Sequence, residues 1–168
     1  MSGANSSNII KKLCRIAVIS AVYAVISLLL PFLSYGTIQL RIAEALCVLP
    51  ILMPESVFGV FFGCLITNIF SGSVFDLLIG SAATLTAAYL SQKFRAKPLL
   101  AALFPVVINA LVIGIMLSCL TGSFENLAAF LPVCALNILS VGIGEGLAVY
   151  GLGIPLLYLL KKYPSVYK

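Results

Sequence analysis

The chain has 168 residues, 62% of them hydrophobic and only 9% charged, with a net charge of +5 and mean hydropathy of +1.18. A water-soluble domain carries about 25% charged residues, so a soluble globular protein is excluded. Each membrane-crossing helix takes roughly 20 apolar residues, so about six spans with short connections account for the chain.

Residues 1–10 are rich in Ser, Asn and Gly and are expected to fray, leaving 11–168 as a single all-α transmembrane domain. The first span runs from about Leu13 to Leu33. Ala17, Ser20, Ala21, Ala24 and Ser27 recur on it at helical spacing, and in lipid such small residues let another helix come close. That helix belongs either to this protein or to a partner. A second, short span covers about Gln39 to Met53 and is closed by Pro50 and Pro54. Glu55 then sits in the first turn of the next helix, where a carboxylate complements the helix dipole. The third span, about Ser56 to Phe70, carries Gly59, Gly63 and Asn68. The fourth, about Val74 to Leu90, carries Asp76 in its first turn and a run of small residues from Gly80 to Ala88. The fifth, Pro98 to Leu120, contains Pro105 and Asn109. Past a polar loop, the segment from Leu127 to Leu160 is too long for one crossing, and Pro132 is expected to break off a short surface helix at its start. Asn137 and the run Gly142-Ile-Gly-Glu-Gly146 lie in its core.

Basic residues gather at three places: Lys11, Lys12 and Arg15; Lys93, Arg95 and Lys97; and Lys161, Lys162 and Lys168. That is the positive-inside pattern rather than a nucleic-acid stripe, and six spans put all three clusters and both termini on the cytoplasmic side. Arg41 alone stands outside the clusters. The same topology puts Gln39, Arg41 and Glu44, the end of the third span at Asn68, and Asp76 toward the outer face. Glu145 lies about 24 Å above the inner boundary, counted from Lys161 at about 1.5 Å per residue.

Ionisable side chains at such depth are costly and mark a site or a buried pair. Arg41 and Glu44 stand at i,i+3 and either pair with each other or face a ligand. Asp76 either caps its helix or joins the site, and Asn68, Asn109 and Asn137 are either interhelical hydrogen-bond partners or site residues. Several outer carboxylates share a single arginine, so at least one lacks a protein cation; a ligand with N–H donors or a positive charge would satisfy it. Gly142, Gly144 and Gly146 would let a ligand or another backbone approach Glu145. The five cysteines are scattered, histidine is absent, and no metal-ligand spacing occurs, so the cysteines read as small apolar fillers and no metal or other cofactor is expected. No Walker A motif, nucleophile elbow or paired aspartates are present, so an enzyme is not expected.

With these residues in view, the chain resembles the substrate-binding S components of energy-coupling factor (ECF) transporters, and more closely the queuosine-precursor transporter family, QueT. The pattern is Tyr35-Gly-Thr-Ile-Gln-Leu-Arg-Ile-Ala-Glu-Ala45, Leu49-Pro50, Gly59, Gly63-Cys-Leu-Ile-Thr-Asn68, Asp76, Gly80, Ala83-Thr84, Pro105, Asn109-Ala110 and Gly144-Glu145, over about residues 12–162. The resemblance implies a six-helix bundle in the cell membrane that takes substrate from outside. It also implies docking through Ala17 and Ala21 onto a membrane scaffold subunit driven by two ATPase subunits. The implied ligand is a 7-deazaguanine, queuine or its 7-aminomethyl precursor. Its guanine-like edge suits a carboxylate facing two N–H donors, and its ammonium suits a second carboxylate. The expected site has Glu44 and Glu145 sharing those tasks, with Gln39, Arg41, Asn68, Asp76 and Asn109 around them and Tyr35 as a stacking lid. An S component for another vitamin-like ligand and a self-sufficient carrier are the alternatives.

Overall fold

The computed structural model describes residues 2–30, 40–121 and 127–167, and every regular element in them is helical. The helices are numbered α1 to α8 in chain order: α1 Ser2–Leu29, α2 Ile42–Ile51, α3 Ser56–Ser71, α4 Ser81–Lys93, α5 Pro98–Thr121, α6 Leu127–Gly146, α7 Ile154–Lys161 and the short α8 Pro164–Tyr167. A π-helical turn, Asp76–Gly80, leads into α4, and a second π segment, Leu147–Gly153, joins α6 to α7 without a break. Three helical stretches are long and apolar enough to cross a membrane: Ser6–Leu29, Pro98–Thr121 and Ala128–Lys161.

The outside of the bundle is apolar and the inside holds its small and polar residues. Leu13, Val18, Leu29, Phe62, Ile69, Leu136 and Leu139 are exposed, while Ser56, Ser91, Asn109, Glu44 and Glu145 are buried. In water this arrangement would leave apolar surface unburied. In lipid it is the stable one, because tails solvate leucine and the interior must satisfy every polar group. The molecule is a membrane protein.

Glycines set the closest helix contacts. Gly59 and Gly63, one turn apart on α3, receive Ile19 and Tyr23 of α1; a Cβ on Gly63 would stand 2.6 Å from the Tyr23 Cβ. Gly114 of α5 lies against Ile138 of α6, where a Cβ would come within 2.7 Å of backbone. Gly153 meets the Ala45 carbonyl in the same way, so the second π segment lies on α2.

α2 is the central strut. It is a 3-10 helix, buried from Ala43 to Ile51, and it packs against α1, α3, α4, α5, α7 and the second π segment. Its 10 residues cover about 20 Å at about 2.0 Å per residue, short of a hydrocarbon core of about 30 Å. The short second span expected from the sequence is therefore enclosed by its neighbours.

α1 starts at Ser2, so its first turns run through the residues expected to fray. Two local expectations are corrected. Pro132 does not split off a surface helix: α6 runs through it, as membrane helices tolerate proline when local adjustments re-satisfy the backbone. Glu55 makes no capping bond; its carboxylate pairs with Arg15 at 2.9 Å, across from α1. At Pro105 the repair is visible. Proline has no N–H for the Ala101 carbonyl, and the buried Ser91 hydroxyl of α4 donates to it at 2.8 Å.

Lys12 and Arg15 of the first basic cluster share one end of the bundle with Gln92, next to the second cluster, and with Tyr167. Together with Glu55 and Tyr89 they line one cavity of about 600 Å³, and Arg15 also donates to the Tyr167 carbonyl at 3.2 Å.

Candidate functional site

The opposite end holds the polar residues singled out in the sequence. Arg41 precedes α2 and Asp76 opens the π turn before α4; Arg41 Nη2 lies 3.6 Å from Asp76 Oδ1. Asn68, near the end of α3, donates through Nδ2 to the Asp76 carbonyl at 2.7 Å and to Ser81 Oγ at 3.1 Å. Asp76 is held in place from both sides, since its N–H also reaches Ser73 Oγ at 3.2 Å.

Glu44 is fully buried in the first turn of α2. Tyr23 Oη donates to its Oε1 at 2.6 Å and Cys47 Sγ to its Oε2 at 2.8 Å, while Thr84 Oγ1 stands 3.3 Å from Oε1. The i,i+3 pairing of Arg41 with Glu44 does not form among the described residues: Arg41 turns to Asp76, and three neutral donors serve Glu44. Arg41 stands before α2 on non-helical backbone (φ −91°, ψ 88°), so it is not on the stacked face of the 3-10 helix. Within the helix, at three residues per turn, Cys47 sits directly over Glu44.

Glu145 is 1% exposed on α6, and Asn109 of α5 donates to its Oε1 at 3.1 Å. Glu145 Oε2 and Asn109 Oδ1 are buried with no hydrogen-bond partner. Arg41, Glu44 and Glu145 lie near enough for their charges to interact, so the pairs form one locus.

Of the eight expected site residues, Arg41, Glu44, Asn68, Asp76, Asn109 and Glu145 fall into this locus; Tyr35 and Gln39 lie outside the described residues. Asn137 is an interhelical partner, donating to Ser118 Oγ at 2.9 Å. Gly146 has open space where a side chain would go, whereas Gly142 faces the Ala110 methyl. The sequence reading missed Tyr23, Thr84, Cys47 and Cys64. A tyrosine inside an apolar span was itself a signal, because its hydroxyl needs a buried partner. Cys47 and Cys64 pack in the core as fillers would and also bond there: Cys47 donates to Glu44, and Cys64 Sγ lies within 3.3 Å of Asn68 Nδ2 and 3.4 Å of Thr84 Oγ1.

Among the described residues, carboxylates, amides and an arginine cluster at one end of this apolar helical bundle, a candidate site for a small polar molecule. A bundle of this kind is of the class of membrane transport proteins. The family model described as QueT transporter matches residues 13–162, and the chain belongs to that family. No curated protein and no solved structure matches the chain.

Proposed function

We propose that this protein is the substrate-binding S component of an ECF transporter and that it imports a queuosine precursor, queuine or 7-aminomethyl-7-deazaguanine. The observation that carries the ligand class is the buried acceptor surplus. Glu44, Asp76 and Glu145 face one arginine, and Arg41 is drawn to Asp76. Glu145 therefore has a bare oxygen where a ligand N–H or ammonium would be welcome. A guanine-like edge supplies adjacent N–H donors, and the precursor's amine supplies a cation. Arg41 and Gln39 are the donors for the ligand carbonyl, Asn68 and Asp76 brace the mouth, and Tyr35 closes over the ring.

The topology supports the rest of the reading. With the basic end in the cytoplasm, both termini are inside, residues 11–168 are one domain in the cell membrane, and the site opens outward. Ala17 and Ala21 are exposed on α1, while Ser20 and Ala24 of the same small-residue face pack inward. The exposed half is left for the scaffold subunit, and the hydrolysis of ATP belongs to two further subunits. No cofactor takes part.

Binding of queuine and its aminomethyl precursor to the purified chain in detergent tests the ligand: both should bind, and riboflavin and thiamine should not. Reconstituted with scaffold and ATPases, the chain should accumulate ligand only with ATP. Uptake into liposomes by the chain alone would overturn the S-component reading.

A further inference from the structure

Two carboxylates are equally buried in this locus, but they are bonded differently. Each oxygen of Glu44 already has a donor from the protein: Tyr23 and Thr84 on Oε1, Cys47 on Oε2. Glu145 has one donor, Asn109 Nδ2, on Oε1 alone. That single bond also fixes the Asn109 amide. Turned over, it would set Oδ1 against a carboxylate oxygen, acceptor on acceptor, so Oδ1 is the end left bare. The two unpartnered atoms, Glu145 Oε2 and Asn109 Oδ1, thus sit on side chains joined by one hydrogen bond, on adjacent helices α5 and α6. Buried acceptors are almost always satisfied, and a bare pair in one place is the imprint of a missing donor pair.

Resting on the proposed function above, we infer that Glu145 and Asn109 together read the two adjacent N–H groups of the ligand's guanine-like edge, while Glu44 is a positioning residue that holds α2 to α1 and α4. A carboxylate by itself could take both N–H groups, one on each oxygen. Here Oε1 is engaged, so the second acceptor is the amide oxygen of Asn109. The specificity that follows is for adjacent donors. A heterocycle with the carbonyl but without the exocyclic amine leaves one acceptor bare and is rejected.

The test compares three ligands on the purified chain: 7-aminomethyl-7-deazaguanine, its analogue without the 2-amino group, and its analogue without the side-chain amine. In the parent, removing the 2-amino group should weaken binding by about tenfold or more, as expected for an acceptor left unpaired. In Glu145→Gln, Asn109 keeps its bond to the amide oxygen and an NH2 group faces the ligand, donor against donor. The parent ligand then loses its advantage, and the two ligands differ by less than about twofold. Tyr23→Phe should weaken all three ligands by a common factor and preserve the ratios. A parent indifferent to the 2-amino group overturns the assignment without any variant. So does a Glu145→Gln loss that tracks the side-chain amine instead, or a Tyr23→Phe loss confined to the 2-amino group. If no deazaguanine binds, but guanine or a pterin does with a 2-amino preference that Glu145→Gln abolishes, the acceptor pair stands and the proposed ligand falls.

Discussion

Tyr23 illustrates how much of this site depends on atoms that touch no ligand. Its ring is pressed onto Gly63, and its hydroxyl reaches Glu44 at 2.6 Å in a fully buried setting. Tyr23→Phe removes one donor from a buried carboxylate and should lower stability by about 1–3 kcal/mol, read as a lower thermal midpoint by circular dichroism. Ser91→Ala makes a parallel case far from the site. It leaves the Ala101 carbonyl, freed by Pro105, without a donor, and the midpoint should fall by a comparable amount. Ser91→Thr keeps the hydroxyl and separates the bond from the space. At this scale the ionisable members of the site were legible, because a charge in an apolar run is conspicuous. Their partners were not. Arg41 and Glu44 stand at a spacing that suits a pair on one helix face, but α2 begins only at Ile42, so Glu44 stacks on Cys47 within it while Arg41, on non-helical backbone before it, reaches Asp76.

Helix contacts follow from where side chains are missing. Gly59 and Gly63 were visible as glycines four apart on the third span, and the structure gives them α1 as a partner. Gly63→Ala would put a methyl into the Tyr23 Cβ, with no flexible atom to yield. We expect a loss of about 1–3 kcal/mol, together with weaker ligand binding as the Tyr23 hydroxyl is drawn off Glu44. Retention of full affinity in a destabilised Gly63→Ala protein would show that α1 does not position Glu44. The long first, fifth and sixth segments were legible from apolar length alone, whereas the winding of α2 and the π segments was not. Nothing in composition separates a 3-10 strut from a short α-helix when all its faces are buried. The two π segments border the site, one beginning at Asp76 and the other directly following Glu145 and Gly146. Such insertions widen a helix turn and commonly occur at functional sites. Arg41 and Asp76 tie the start of α2 to the first of them. Asp76→Asn should loosen that tie, and stopped-flow measurements should find ligand release faster than in the parent.

At the scale of the whole molecule, the polar cluster and the basic end lie at opposite ends of a bundle with no charged path between them among the described residues. On the proposed reading, a solute beside Glu145 meets no charged path inward among the described residues, which suits an S component that is itself moved by its partner subunits. The surface where they would grip is α1. Its inward face is spent on α3 through Ile19 and Tyr23, and its outward face carries Ala17 and Ala21 among Val18, Val22 and Val25. Ala21→Leu adds bulk where the structure has only lipid to displace, so fold, thermal midpoint and ligand affinity should match the parent. A scaffold helix that must come within van der Waals reach of a small residue would meet the new side chain directly. Uptake by the complete transporter should therefore drop by an order of magnitude or more, and the variant should fail to co-purify with the scaffold. Val25→Leu, on the same exposed side one turn further on, already presents a branched side chain and should transport normally. If Ala21→Leu transports like the parent, the small-residue face of α1 is not the docking surface.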